Sequence, residues 1–253
     1  MKSTRTIASV TGWLFLITFI TSIPAQLVFY APVLKDPAYV FGIGADMGVS
    51  LGALLEIVLV VANIGTAVVL YPLVRRQDEA VALGYVTARV LESAVIMVGI
   101  FSVLSVVALR QQFAGVAGAE AALGPVGGAL VAIHDASFLL GPGFLAGLGN
   151  GILLGYLMYR SGLVPRGMAM LGLVGGPLLI AAMVAVLFGV FAPGSIWQVV
   201  ATMPEFAWEL SLGIYLVVKG FKPSPLAASY AADAARGSAT VPGSAMGGVG
   251  VGV

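Results

Sequence analysis

The chain is expected to be all-α: a polytopic integral membrane protein, built as a bundle of about six transmembrane helices. Three observations lead there. Of its 253 residues 60% are hydrophobic and only 9% are charged, against about 25% charged in an average soluble domain. The apolar residues fall in six runs, each long enough to cross a hydrocarbon core of about 30 Å, which takes roughly 20 helical residues. The runs are also too long and too little alternating for barrel strands, and in lipid only helices and closed barrels satisfy their own backbone hydrogen bonds.

The spans are read at about residues 7–30, 49–74, 81–109, 126–160, 167–191 and 195–218. Lys2 and Arg5 precede the first, and Ser22-Ile23-Pro24-Ala25 resembles the cleavage region of a secretory signal. Hydrophobicity nevertheless resumes through Leu27-Val28-Phe29-Tyr30, which favours an uncleaved helix kinked near Pro24. Thr11, Thr18, Ser22 and Gln26 form a polar stripe on it at helical spacing. Span two carries Glu56 and Asn63, seven residues apart on one face; span three carries Arg89 and Glu92, three apart. The fourth run is too long for one straight crossing, since Pro125 to Arg160 would measure about 54 Å at 1.5 Å per residue. A break is expected at Gly141-Pro142-Gly143, separating an outer segment around 126–140, with His134 and Asp135, from a span around 144–159, with Asn150. Gly143, Gly147, Gly151 and Gly155 recur every fourth residue there, a close-packing face that serves a neighbouring helix or a second copy of the chain. Span five is apolar throughout, and span six carries Glu205 and Glu209 at a spacing of four.

After Phe221 the composition shifts to Pro, Gly, Ala and Ser, so two regions are expected: a transmembrane domain over 1–222 and a disordered tail over 223–253. Orientation follows from the basic residues, which cytoplasmic loops retain. Lys2, Arg5, Arg75, Arg76, Arg160, Arg166, Lys219, Lys222 and Arg236 fall on one side and only Lys35 and Arg110 on the other. Both termini are therefore expected in the cytoplasm, with the protein in the inner membrane.

The same composition excludes several function classes. A net charge of +1 leaves no basic field for nucleic acid. With no cysteine there are no disulfides, thiolate metal sites or cysteine nucleophiles, and a single histidine, His134, excludes bis-histidine haem ligation within the chain. His134-Asp135 lacks further strong ligands, so neither a metal nor a cofactor is expected. Ser137 and Ser195 have no nucleophile signature around them.

What remains informative is the set of polar groups within the runs, since charge near the bilayer centre is costly and rarely faces lipid. Glu56, Asn63, Arg89, Glu92, His134, Asp135, Asn150, Glu205 and Glu209 form the candidate polar cavity. One arginine cannot neutralise four glutamates, so some carboxyls are expected to be protonated or to face water. The plainer alternative is an Arg89–Glu92 ion pair that merely links helices.

The stretch Gly155-Tyr156-Leu157-Met158-Tyr159-Arg160-Ser161-Gly162-Leu163-Val164-Pro165-Arg166, followed by Gly172, resembles the bacterial membrane family catalogued as domain of unknown function 4386. Arg89-Val90-Leu91-Glu92, Glu209 and the closing Val217-Val218-Lys219-Gly220-Phe221 agree with it. The resemblance extends over about residues 5–222; it implies six membrane helices and supplies no reaction. Three functional readings stand. One is a transporter or binding protein for a small hydrophobic or protonatable ligand, in which Glu56, Glu92 and Glu209 change protonation. Another is a membrane-embedded enzyme acting on a lipid or prenyl substrate through a buried carboxylic acid, with Trp197, Phe206 and Trp208 stabilising positive charge and terpene cyclases as a likeness in architecture only. The third is a structural or regulatory partner that uses the glycine face.

Overall fold

The computed structural model describes residues 3–36, 38–42, 46–116 and 118–239. The described residues contain no strand and eight helices: α1 Thr4–Phe29, α2 Ala31–Lys35, α3 Asp46–Val74, α4 Glu79–Gln112, α5 Glu120–Ser161, α6 Arg166–Leu187, α7 Ile196–Val218 and α8 Pro225–Ala239. Five of them, α1, α3, α4, α5 and α6, are long and apolar enough to cross a membrane. The sixth expected span, α7, is about 35 Å long and interrupts its apolar sequence with Gln198, Glu205 and Glu209. It lies between α6 and α1, and Glu205 is buried there.

The long helices close a ring in chain order. α1 packs on α3, α3 on α4, α4 on α5, α5 on α6, α6 on α7, and α7 returns to α1. The outside of the ring exposes Leu54, Val58 and Val61 of α3, Val90, Leu91 and Val98 of α4 and Val174 and Leu178 of α6, the surface a hydrocarbon solvent requires. Inside, one apolar cluster around Phe15, Leu70, Tyr85, Leu157 and Leu212 fills the end that carries both the first and the last described residues. A second, around Tyr30, Val49, Ile100 and Val103, fills the far end. The polar residues of the spans sit between the two.

Local signals fix where the helices begin and stop. Ser3 caps α1 by accepting from the Thr6 amide (3.1 Å), and Asp78 caps α4 by accepting from the Val81 amide (3.0 Å), each satisfying an amide that has no partner within its helix. At the end of α5, Gly162 takes a left-handed conformation (φ 65°), which a glycine adopts without strain. Leu163 and Val164 are then buried, and Pro165 precedes α6. The most distinctive stretch of the sequence is thus a helix-to-helix corner.

Two expectations about chain continuity need correction. α5 is not broken at Gly141-Pro142-Gly143; it runs from Glu120 to Ser161 and widens into i→i−5 hydrogen bonding over Leu139–Leu145 and Gly147–Leu154. The Ala146 amide donates to the Gly141 carbonyl and the Gly155 amide to that of Asn150. Pro142 removes one donor, and a wider turn absorbs the mismatch at less cost than two helix ends buried in lipid. At up to about 63 Å, α5 overshoots the hydrocarbon core, so its outer part with His134 and Asp135 stands at the far end of the bundle. The tail is also not disordered from 223 onward. Pro225–Ala239 is helical, with Tyr230 buried in the first cluster, under the Arg76 guanidinium at 4.9 Å, and Arg76 paired to Asp233 at 2.7 Å. Alanine content favours the helix, and Leu226 and Tyr230, four residues apart, give it an apolar contact. Residues 240–253 of the expected tail lie outside the described residues.

The glycine face of α5 is used within the chain. Any Cβ on Gly147 or Gly151 would collide with Gly176 of α6, one on Gly155 would crowd Gly172 and Leu173, and one on Gly143 would strike Met183. Of the two uses expected for this face, a neighbouring helix or a second copy of the chain, the neighbouring helix α6 covers it within the chain. Gly176→Ala should destabilise by about 1–3 kcal/mol, because the added carbon would lie 2.5 Å from the Gly147 carbonyl oxygen. Gly128→Ala, with open space around it, should be neutral or slightly stabilising; thermal unfolding in detergent compares the two.

Removing residues 240–253 should leave the unfolding temperature unchanged, whereas removing 223–253 should lower it by uncovering the Tyr230 site. Arg76 holds the Asp233 carboxyl below its ordinary value through their hydrogen bond. That contribution is present above the unfolded value of about 3.9 and is lost as pH falls through the lowered folded value. Hydrogen exchange in α8 should accordingly accelerate below about pH 4.

Candidate functional site

The polar side chains stack in layers when distance is counted along each helix from the end bearing Thr4, at 1.5 Å per residue. Arg89, Glu209, Asn63 and Asn150 lie at about 15 Å, Glu92 and Glu205 at about 20 Å, Glu56 at about 27 Å, and Gln26 and His134 at about 33 to 40 Å. They come from five walls of the ring: α1 gives Gln26, α3 Glu56 and Asn63, α4 Arg89 and Glu92, α5 His134 and Asn150, and α7 Glu205 and Glu209.

In the lowest layer Asn150 donates to Glu209 at 2.6 Å, while the Asn150 carbonyl accepts from the Trp208 indole at 2.9 Å. The widened turn of α5 therefore delivers two polar groups of one residue to α7. Arg89 pairs with Glu92 at 2.6 Å, and both are almost fully buried. Asn63 donates to Ser93 at 3.4 Å, which ties α3 to α4 beside the pair. Higher up, the Gln26 amide donates to Glu56 at 2.7 Å and lies 3.3 Å from His134 Nε2. His134 Nδ1 in turn lies 3.3 Å from Asp135, whose side chain is 67% exposed. A hydrogen-bonded row thus leads from the far surface to Glu56.

Glu205 differs from its neighbours. It is 2% exposed, and neither carboxyl oxygen has a hydrogen-bond partner; Arg89 Nε and Asn150 Oδ1 are likewise buried and unpartnered. An unsatisfied buried polar group costs about 1–3 kcal/mol, and more when charged.

A cavity of about 170 Å³ lies between these groups, lined by Glu56, Asn63, Arg89, Glu92, Glu205 and Glu209 together with Thr18, Ser22, Phe19 and Phe206. The two phenylalanines meet edge to face at 5.1 Å. His134 and Asp135 do not line it. They belong to an adjoining cleft of about 550 Å³ toward the far end, which shares Gln26, Phe138 and Thr202 with the cavity. Asn150 stands behind Glu209 and acts through it. The candidate set therefore falls into six lining residues, one supporting asparagine and a His134-Asp135 pair at the cleft.

Sequence reading did not place Gln26 or Thr202 in the candidate set, although the stripe on α1 contained Gln26. Thr202 carried no signal beyond its spacing of three from Glu205. Of the aromatic residues expected near the acids, Phe206 lines the cavity, Trp208 is buried behind it against Gly172, and Trp197 is 65% exposed. At the far end, outside the spans, Asp46 accepts from Tyr39 at 2.9 Å and from Arg110 at 2.5 Å, which fastens α3 to α4. Burial, reinforced by Asp46, pushes the Tyr39 hydroxyl up to about 12. The described residues hold no group of three or more His, Cys, Asp or Glu placed for a metal ion.

Fold and site together define an all-helical, multi-pass membrane protein with a polar interior. Residues 10–220 match the family model described as domain of unknown function (DUF4386), and the chain belongs to that family. No curated protein and no solved structure is similar to it.

Arg89→Gln should destabilise by about 3–5 kcal/mol, since it leaves Glu92 buried without its partner. Arg89→Gln combined with Glu92→Gln should recover much of that loss. Chemical unfolding of the three variants measures the difference, and a double variant no better than the single would contradict the pairing.

Proposed function

We propose that this protein takes a small hydrophobic or protonatable ligand into the cavity enclosed by its helix ring, as a binding protein or a proton-coupled transporter of the cytoplasmic membrane. The observation that carries this reading is Glu205: a carboxyl with two unpartnered oxygens lines a cavity. A network that served only stability would satisfy its members, because a partly satisfied one is worse than an apolar core. The row from Asp135 through His134 and Gln26 to Glu56 supports a polar path from the far end toward the cavity.

A second reading, an enzyme acting on a lipid or prenyl substrate, is favoured by the apolar cleft beside the acids, with Leu34, Leu139, Val186, Val199 and Met203 in its walls. The structural-partner reading loses its contact surface, since the glycine face is occupied by α6.

The test is retention of a native ligand. Protein extracted into native-lipid nanodiscs should carry a small molecule, seen by mass spectrometry, that falls at least tenfold in Glu56→Gln and Glu209→Gln while size and helicity are unchanged. Equal occupancy in all three, or none in the wild type, would contradict the proposal. Conversion of the molecule to a product by the wild type would select the enzyme reading.

Orientation rests on charge. Arg5, Arg75, Arg76, Arg160, Arg166, Lys219, Lys222 and Arg236 are at the end where α1 begins, and Lys35 and Arg110 at the other, which supports a cytoplasmic location for the end where α1 begins. Reporter fusions after Arg76 and Arg166 should behave as cytoplasmic, and fusions near Lys35 and Glu120 as external; the reverse would invert the orientation.

A further inference from the structure

We infer that the cavity binds the head group of an amphiphilic primary or secondary amine, with its ammonium on Glu205 and its apolar body along the adjoining cleft. The inference rests on the ligand-binding reading above and gives that ligand a chemical class.

The unmatched hydrogen-bonding capacity comes first. Both Glu205 oxygens are buried and unused; once ionised the carboxyl is a pure acceptor, and an ammonium carrying N–H groups supplies donors together with a counter-charge. Glu56 and Glu209 already accept from Gln26 and Asn150, and Glu92 is held by Arg89. Glu205 is therefore the lining carboxyl left for a ligand.

Charge complementarity is the second argument. Across cavity and cleft the lining carries five acids, Glu56, Glu92, Glu205, Glu209 and Asp135, against Arg89, with His134 as the other titratable group. Arg89 pairs with Glu92 through Nη1, so the acids left over in the lining outnumber it, and each of them that ionises favours a cation over an anion. The groups surrounding Glu205 are Glu209 on its own helix and Arg89 and Glu92 on α4. The edge-to-face pair Phe19–Phe206 also lines the cavity and offers ring faces that favour a cation.

Shape is the third. The cavity of about 170 Å³ suits a small head, and the cleft of about 550 Å³, with its apolar walls, suits a short chain. The outer half of α5 packs on α4, while the cleft runs between α5 and the start of α7.

Binding exchanges one cation for another. A buried carboxyl with neither donor nor counter-ion rests as the neutral acid; the ammonium becomes its counter-ion, and the proton leaves to bulk water. One cation enters and one proton is released.

The probe is n-hexylammonium, titrated calorimetrically into the full-length protein in lipid nanodiscs, with empty nanodiscs subtracted and 1-hexanol and hexanoate as matched controls. Saturable binding at least tenfold tighter than hexanol is expected, with about one proton released per ligand in weak buffer. Glu205→Gln should weaken it at least tenfold. Ala146→Leu, which fills the cavity without removing a polar group, should weaken it as well and serves if Glu205→Gln fails to fold. Equal binding of hexanol, preferential binding of hexanoate, or unchanged affinity in both variants would overturn the inference. If hexylammonium fails to bind while native ligand is still retained by the wild type and lost in Glu56→Gln, the amine assignment falls and the ligand-binding reading stands. If no native ligand is retained either, both fall.

Discussion

The cost of ionisable side chains in lipid fixes how this bundle is turned. Each of α3, α4 and α7 carries at least one acid far from its ends, and none of those acids can face acyl chains without a penalty of several kcal/mol. Pointing Glu56, Arg89, Glu92 and Glu205 inward sets the rotation of each helix and leaves Leu54, Val90 and Leu91 on the outside. Van der Waals packing alone would leave that rotation weakly defined, since lipid tails are as apolar as leucine.

Small residues make the inward arrangement possible. Gly147 and Gly151 of α5 and Gly172, Gly175 and Gly176 of α6 bring α5, α6 and α7 to backbone contact. Gly175 lies against the backbone of Glu205 and Gly172 against Trp208, so α6 acts as a close-fitting wedge that positions α7. The widened turns of α5 complement it, bringing the Asn150 side chain to Glu209 and its carbonyl to the Trp208 indole. The close contact of α5, α6 and α7 holds Glu205 at the wall of the cavity that α1, α3 and α4 complete.

Much of this was legible in the sequence. Five expected spans, at 7–30, 49–74, 81–109, 167–191 and 195–218, lie within a few residues of α1, α3, α4, α6 and α7, because hydropathy reports the solvent directly. The polar positions were legible for the same reason: a charge in an apolar run stands out. Their partners were not. Gln26 meets Glu56 thirty residues on, and Asn150 meets Glu209 fifty-nine residues on, and neither spacing has a local signature. The continuity of α5 was hidden because Gly-Pro-Gly ordinarily ends a helix, whereas buried backbone in lipid favours a widened turn. Helix α8 was hidden by its own composition, in which one tyrosine and one leucine supply the contact that average hydrophobicity dilutes.

Because the chain has no cysteine, cysteines placed singly along α7 test the central claim that an acid-lined cavity, reached through the adjoining cleft, lies inside the ring. Substitutions at Thr202 and Glu205 should react in intact membranes with a small, membrane-impermeant cationic thiol reagent, faster than with its anionic counterpart. Those at Val200 and Ile214, 55% and 48% exposed on the outside of the bundle, should not react. Reaction at 200 and 214 with none at 202 and 205 would mean that α7 is turned the other way, and it would contradict the cavity and the function drawn from it.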